Sequence, residues 1–137
     1  MGLVRDKITI TNSGDIAKAR AGFINNDDIR RVTVTALADT GALMLVIPET
    51  IRKELGLFIE KQVSTSLADG SKKICGLTEP VNIEWQDRLA SCQAWVVPED
   101  CNVLLGAIPM EAMDIMVDPG RRQLTGIHGD QVLGILC

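Results

Sequence analysis

The chain has 137 residues, enough for one core and a single domain spanning 1–137. At 46% hydrophobic residues the composition is globular, and a net charge of -4 with no basic run beyond Arg30-Arg31, Lys72-Lys73 and Arg121-Arg122 gives a nucleic-acid partner no electrostatic support. No apolar stretch reaches bilayer length and "MGLVRDKITI" has no h-region, so neither a membrane partner nor a signal peptide is expected; Cys75, Cys92, Cys101 and Cys137, with no C-x-x-C pair and one histidine (His128), read as reduced thiols of a cytoplasmic protein, with no metal site.

In chain order, "KITITN" (7–12) alternates, with Ile8 and Ile10 on one face, and reads as a strand. "NSGD" (12–15) is a turn signal, "IAKARAGFI" (16–24) a return strand, and "NNDD" (25–28) a second turn. "IRRVTVTALADTG" (29–41), rich in Val and Thr, reads as a long strand. "PETIRKELG" (48–56) is a helix: Pro48 suits its first turn, Gly56 its end, and Ile47, Ile51 and Leu55 form one buried stripe. Glu49 and Lys53 are spaced for an i,i+4 pair on its outer face.

"VSTSLADGSKKICGL" (63–77) reads as a hairpin around Asp69-Gly70, a turn pair suited to positive φ. "VNIEWQDRLASCQAWVVP" (81–98) reads as two strands around Gln86-Asp87-Arg88, with Trp85 and Trp95 packing in them. "NVLLG" (102–106) is a short buried strand and "IPMEAMD" (108–114) a short helix. "IMVDPGRRQLTGI" (115–127) is strand, Pro-Gly turn and strand, and "QVLGILC" (131–137) a last apolar segment. Many short strands, two short helices and no βαβ rhythm make the class all-β, a small closed or sandwich-like sheet system.

One residue breaks the pattern. In "LADTGALMLVIP" (37–48) a carboxylate, Asp39, enters an apolar run. An ionised acid is costly in a core unless it is hydrogen-bonded or paired. Thr40 and Gly41 provide for it: a hydroxyl on a stiff side chain, and a backbone able to turn close to the acid. The stretch reads as a loop presenting a carboxylate at a sheet surface.

"LADTGA" resembles the active-site loop of the retropepsin-like aspartic proteases, the retroviral proteases and their cellular and bacterial relatives. The order of the remaining motifs strengthens the resemblance: "SLADGSKKICG" stands where the family carries its flap, "NVLLG" matches its apolar-apolar-glycine, and "AIPMEAMD" its following helix. The implied fold is a single-lobe acid-protease barrel. The implied activity is that of an aspartic endopeptidase needing no cofactor. One lobe carries one aspartate, so the resemblance implies a symmetric homodimer in which two Asp39 carboxylates share a proton, one activating a water and the other polarising the peptide carbonyl. It assigns Asp39, Thr40 and Gly41 to catalysis, with Thr40 bonding across the dimer. Ala42, Ala68, Asp69 and Gly70 go to the binding of a peptide or protein substrate. Leu104, Leu105 and Gly106 support the loop.

Two departures stand out. Retroviral members carry an acid after the "DTGA" and an arginine after the apolar-apolar-glycine, and the two pair; here Leu43 and Ala107 occupy those places, so both charges are gone together. Retroviral termini also interleave in a shared sheet, and "KITITN" and "QVLGILC" are the segments placed to do so. The alternative to an enzyme is a non-catalytic dimeric or peptide-binding module on the same fold. An aspartyl-phosphate chemistry lacks the β/α rhythm and the acid cluster it needs.

Overall fold

The structure, a computed structural model, describes residues 3–66, 69–98 and 100–128. Nine strands form one sheet. The first, β1 (Arg5–Asn12), pairs antiparallel with β2 (Arg31–Ala38). β3 (Leu45–Pro48) leads into helix α2 (Glu49–Leu55), and β4 (Ile59–Ser66) and β5 (Lys72–Thr78) form a hairpin. β6 (Val81–Trp85), β7 (Arg88–Cys92), β8 (Ala94–Val97) and β9 (Val103–Leu105) complete the sheet, whose order is β4-β5-β8-β3-β9-β2-β1-β6-β7. Helix α3 (Ala107–Ala112) follows, and β10 (Ile115–Asp118) and β11 (Gln123–Gly126) form a separate two-stranded ribbon. The all-β class expected from the sequence holds. No helix among the described residues is long and apolar enough to cross a membrane.

The core follows the alternation. Ile8 and Ile10 of β1, Leu45 and Ile47 of β3, Val81 and Ile83 of β6 and Leu105 of β9 are buried, joined by Leu55 and Leu57 around the end of α2. Each such side chain contributes on the order of 1.5–3 kcal/mol by leaving water. Trp85 is buried and its indole N–H donates to Asp6 Oδ2 at 2.9 Å; Trp95 is half-buried on β8.

Three local expectations change. The expected turn at 12–15 and return strand at 16–24 give way to a helix, α1 (Ser13–Arg20). Asn12 caps it by accepting the Asp15 N–H at 3.0 Å, Lys18 and Arg20 sit in its last turn, and Ala17 and Ala19 favour helix. It has no apolar stripe, which is why periodicity missed it; Asp15 is its buried residue. Residues 81–98 are three strands rather than two. Thr78 draws the chain away after Cys92, its hydroxyl oxygen accepting the Ala94 N–H at 3.1 Å and its carbonyl accepting Gln93 Nε2 at 3.1 Å. β7 therefore ends the sheet beside β6, while β8 lies between β3 and β5. On α2, Glu49 pairs with Arg52 one turn on, rather than with Lys53. Gly56 ends α2 at φ +64, as its place in the sequence implied.

At the N-terminal end, "KITITN" pairs within its own chain, with β2 along Arg5–Thr11 and with β6 along Thr9–Asn12. "QVLGILC" lies outside the described residues.

Candidate active site

β9 is threaded between β2 and β3, parallel to the first (Ala38 opposite Leu105) and antiparallel to the second (Leu45 opposite Leu105). The chain leaving β2 must therefore cross the end of β9 to reach β3, and the crossing loop is residues 39–44. Asp39 is the first residue past the strand, so the carboxylate in an apolar run stands at the end of a core strand and is half-buried.

Backbone groups hold the loop. The Asp39 N–H donates to the Leu105 carbonyl at 2.9 Å, and the Ala42 N–H closes a turn onto the Asp39 carbonyl at 3.1 Å. The Ala107 and Ile108 N–H groups, at the start of α3, donate to the carbonyls of Ala42 and Leu43, both at 2.8 Å. Gly106 makes this approach possible: a Cβ there would stand 2.3 Å from the Met44 oxygen and 2.8 Å from that of Ala42. The Gly41 N–H donates to Asp39 Oδ1 at 2.9 Å and aims the carboxylate. The sheet thus grips the loop by its main chain, while the acid's own hydrogen bond comes from two residues along.

Two adjoining clefts open at this loop. One, about 450 Å³, is lined by Leu3, Val4, Ala38, Asp39, Thr40, Val117 and Pro119. The other, about 350 Å³, shares Thr40 and Val117 and is lined further by Ala107, Met110, Glu111, Ile115 and Met116. Around them Leu3, Leu43, Ile108 and Met116 expose large apolar side chains, Leu43 to 67%.

Of the residues singled out in the sequence, Asp39, Thr40, Gly41, Ala42, Leu104, Leu105 and Gly106 come together here, with Leu104 pairing to Leu37 and Val46 beside the loop. Asp69 and Gly70 line neither cleft; they lie in the β4–β5 turn, and β8, β3 and β9 stand between β5 and β2 in the strand order. Their bonds are local. Gly70 takes φ +86, and the Asp69 carboxylate accepts the Ser71 N–H at 2.9 Å and hydroxyl at 2.5 Å, which hold it below the usual carboxylate range. Among the described residues of this turn, Gly70 has positive φ and Asp69 does not. Ala68 lies outside the described residues.

Sequence reasoning missed Val117 and Pro119, which line the Asp39 cleft, because nothing local ties the β10–β11 ribbon to residue 39. It also placed Arg88 in a turn. Arg88 is the first residue of β7 and is buried. The signal was present: Arg88, Ala90 and Cys92 alternate on one face, and an arginine on an apolar face needs a partner.

A strand threaded between two others, crossed by an Asp-Thr-Gly loop clamped on a glycine, defines the aspartic-protease class. The chain belongs to the aspartyl protease family, whose model matches residues 23–127, and its fold is retropepsin-like. It is similar in structure to the retroviral protease-like domain of Ddi1 from Leishmania major, at 17% identity with a TM-score of 0.53, over 69% of this chain and 78% of that one. No curated protein matches it in sequence.

Proposed function

We propose that the chain is an aspartic endopeptidase that works as a symmetric homodimer, each copy contributing Asp39. One carboxylate, ionised, takes a proton from a water; its partner, protonated, polarises the scissile carbonyl. Thr40 bonds across the two-fold axis, and Gly41 and Ala42 line the path of the substrate backbone. The β4–β5 hairpin, with Asp69 and Gly70 in its turn, is a flap over the peptide. The observation that carries this reading is the Asp39 loop: the sheet and α3 fix its backbone, and the carboxylate, with the Gly41 N–H on Oδ1, lines a cleft.

The surroundings support a second copy as partner. The loop is tied to α3 by main-chain bonds rather than by the ion pair of retroviral members, and the side chains at those bonds, Leu43 and Ile108, are exposed and apolar. An apolar rim at the place where two loops must meet suits self-association.

The test joins assembly to chemistry. Sedimentation across a concentration series should show a dimer, and cleavage of an unstructured peptide should fall away when dilution yields monomer. Asp39→Asn should abolish cleavage and leave the dimer in place. Cleavage that survives Asp39→Asn, or activity that stays linear in enzyme for a monomer at every concentration, would overturn the proposal. A dimer that binds peptides and cuts none would be a binding module.

A further inference from the structure

Arg88 makes an unusual commitment for a strand residue. Its side chain is 3% exposed. A guanidinium in that position requires acceptors, and the far end of α3 supplies two carbonyls. Nη1 donates to the carbonyl of Met113 at 2.9 Å and to that of Asp114 at 2.6 Å, and lies 3.5 Å from Asp114 Oδ2. These carbonyls follow the last turn of the helix, where unpaired C=O groups and the helix dipole favour a cation. The exposed Asp87, 4.0 Å from Nε, adds little.

Asp114 extends the joint. It turns the chain at φ +57, its carbonyl accepts the Ile127 N–H at 2.9 Å, and its carboxylate accepts the His128 N–H at 3.1 Å with the imidazole Nδ1 at 2.8 Å. One guanidinium therefore fastens the end strand of the sheet to the end of α3, and through Asp114 to the start of β10 and the residues leaving β11.

The other end of the same helix holds the Asp39 loop, through the Ala107 and Ile108 N–H groups. Six residues make under two turns, too short to bend between its ends. Beyond Asp114, β10 carries Val117, and Pro119 follows it, both lining the Asp39 cleft.

We propose that Arg88 is a positioning residue for Asp39: by fixing the C-terminal end of α3 it sets the place of the helix's first amides, and with them the Asp39 loop and the Val117–Pro119 wall of the cleft. Its catalytic consequence rests on the aspartic-protease reading above. Its structural consequence does not.

The experiment compares Arg88→Met and Arg88→Lys with wild type, below the melting transition of each and with folded fraction set by circular dichroism. Peptide cleavage is read as kcat and KM separately, and amide hydrogen exchange is read at Ala107 and Ile108 against the amides of β1. Arg88→Met should lower kcat by about tenfold or more, since displacements under about 1 Å suffice for that, with KM little changed. Exchange at Ala107 and Ile108 should quicken while β1 stays as in wild type. Arg88→Lys, which keeps the charge but not the fork, should recover part of both. If Arg88→Met does not fold, Arg88→Lys carries the test, with intermediate losses expected in both readouts.

A folded variant with unchanged kcat and unchanged exchange would make Arg88 a stability residue only, and overturn the proposal. So would a fall in kcat without faster exchange at Ala107 and Ile108, or faster exchange without a fall in kcat. If the wild type cuts nothing, the protease reading fails on that result, and exchange at Ala107 and Ile108 still decides whether Arg88 positions the loop.

Discussion

Asp15 and Asp39 are two carboxylates held in opposite ways. Asp15, buried on α1, accepts the Arg30 N–H at 2.9 Å, Arg30 Nε at 2.8 Å and Arg30 Nη2 at 3.0 Å. That guanidinium holds its carboxyl below the usual range despite burial. Arg30, with its side chain 47% exposed, lies over Gly56, and Asn12 completes the joint by donating to the Leu55 carbonyl at 2.7 Å. Both Asp15 oxygens are taken by Arg30, and with the Asn12–Leu55 bond the joint links α1 to the end of α2. At Asp39 the main chain is tied down instead, and the carboxylate is left facing a cleft. The first carboxylate is paired with a guanidinium; the second, among the described residues, has the Gly41 N–H.

The sharpest way to break that contrast is to blunt each acid in turn. Asp39→Asn should reduce kcat at least about 1,000-fold, as loss of a general base does, with the melting temperature unchanged. Asp15→Asn should do the reverse, leaving activity per folded molecule near wild type while costing about 2–3 kcal/mol of stability, because Arg30 loses its charged partner beside buried polar groups. Denaturant titration and peptide cleavage on both variants would settle it. If each variant loses both properties equally, the division fails.

Gly106→Ala probes the grip on the Asp39 loop. Its Cβ meets main-chain atoms that cannot rotate away, so about 3 kcal/mol or more and most activity should be lost together. Gly56→Ala is the matching change at the other joint. There the obstacle is a side chain, Arg30 Nη1 at 1.8 Å, which can swing outward, and the cost is chiefly the αL backbone plus weakening of the Arg30 contact, about 1–2 kcal/mol with activity retained. Thermal melts of the pair should rank them in that order.

Acid offers the smallest and gentlest probe. Because the folded-state pKa of Asp15 is lowered, its contribution is present above the unfolded carboxylate range and is lost as pH falls through the lower folded value. Wild type should lose melting temperature progressively below about pH 4, and Asp15→Asn should lose less over the same interval. Parallel acid curves for the two proteins would show that other carboxylates govern the acid limb.

Much of this molecule can be read from short stretches of chain. Alternation marked β1, β2 and β6, the Pro48–Gly56 punctuation marked α2, and "DTGA" followed far downstream by "LLG" marked the pair of segments that meet at the site. These features are local, or depend on a glycine that nothing else can replace, as the 2.3 Å approach at Gly106 shows. What only the tertiary structure decided is where each polar side chain finds its partner. Residues 13–20 became a helix because an Asn cap and an Asp15–Arg30 pair, 15 residues apart, replaced an apolar stripe. Arg88 left the turn for the core because the carbonyls of Met113 and Asp114, 25 and 26 residues on, were there to receive it. The physical reason is range. Backbone preference and hydrophobic period act between near neighbours, whereas satisfying a buried donor or charge depends on groups that only folding brings within 3 Å.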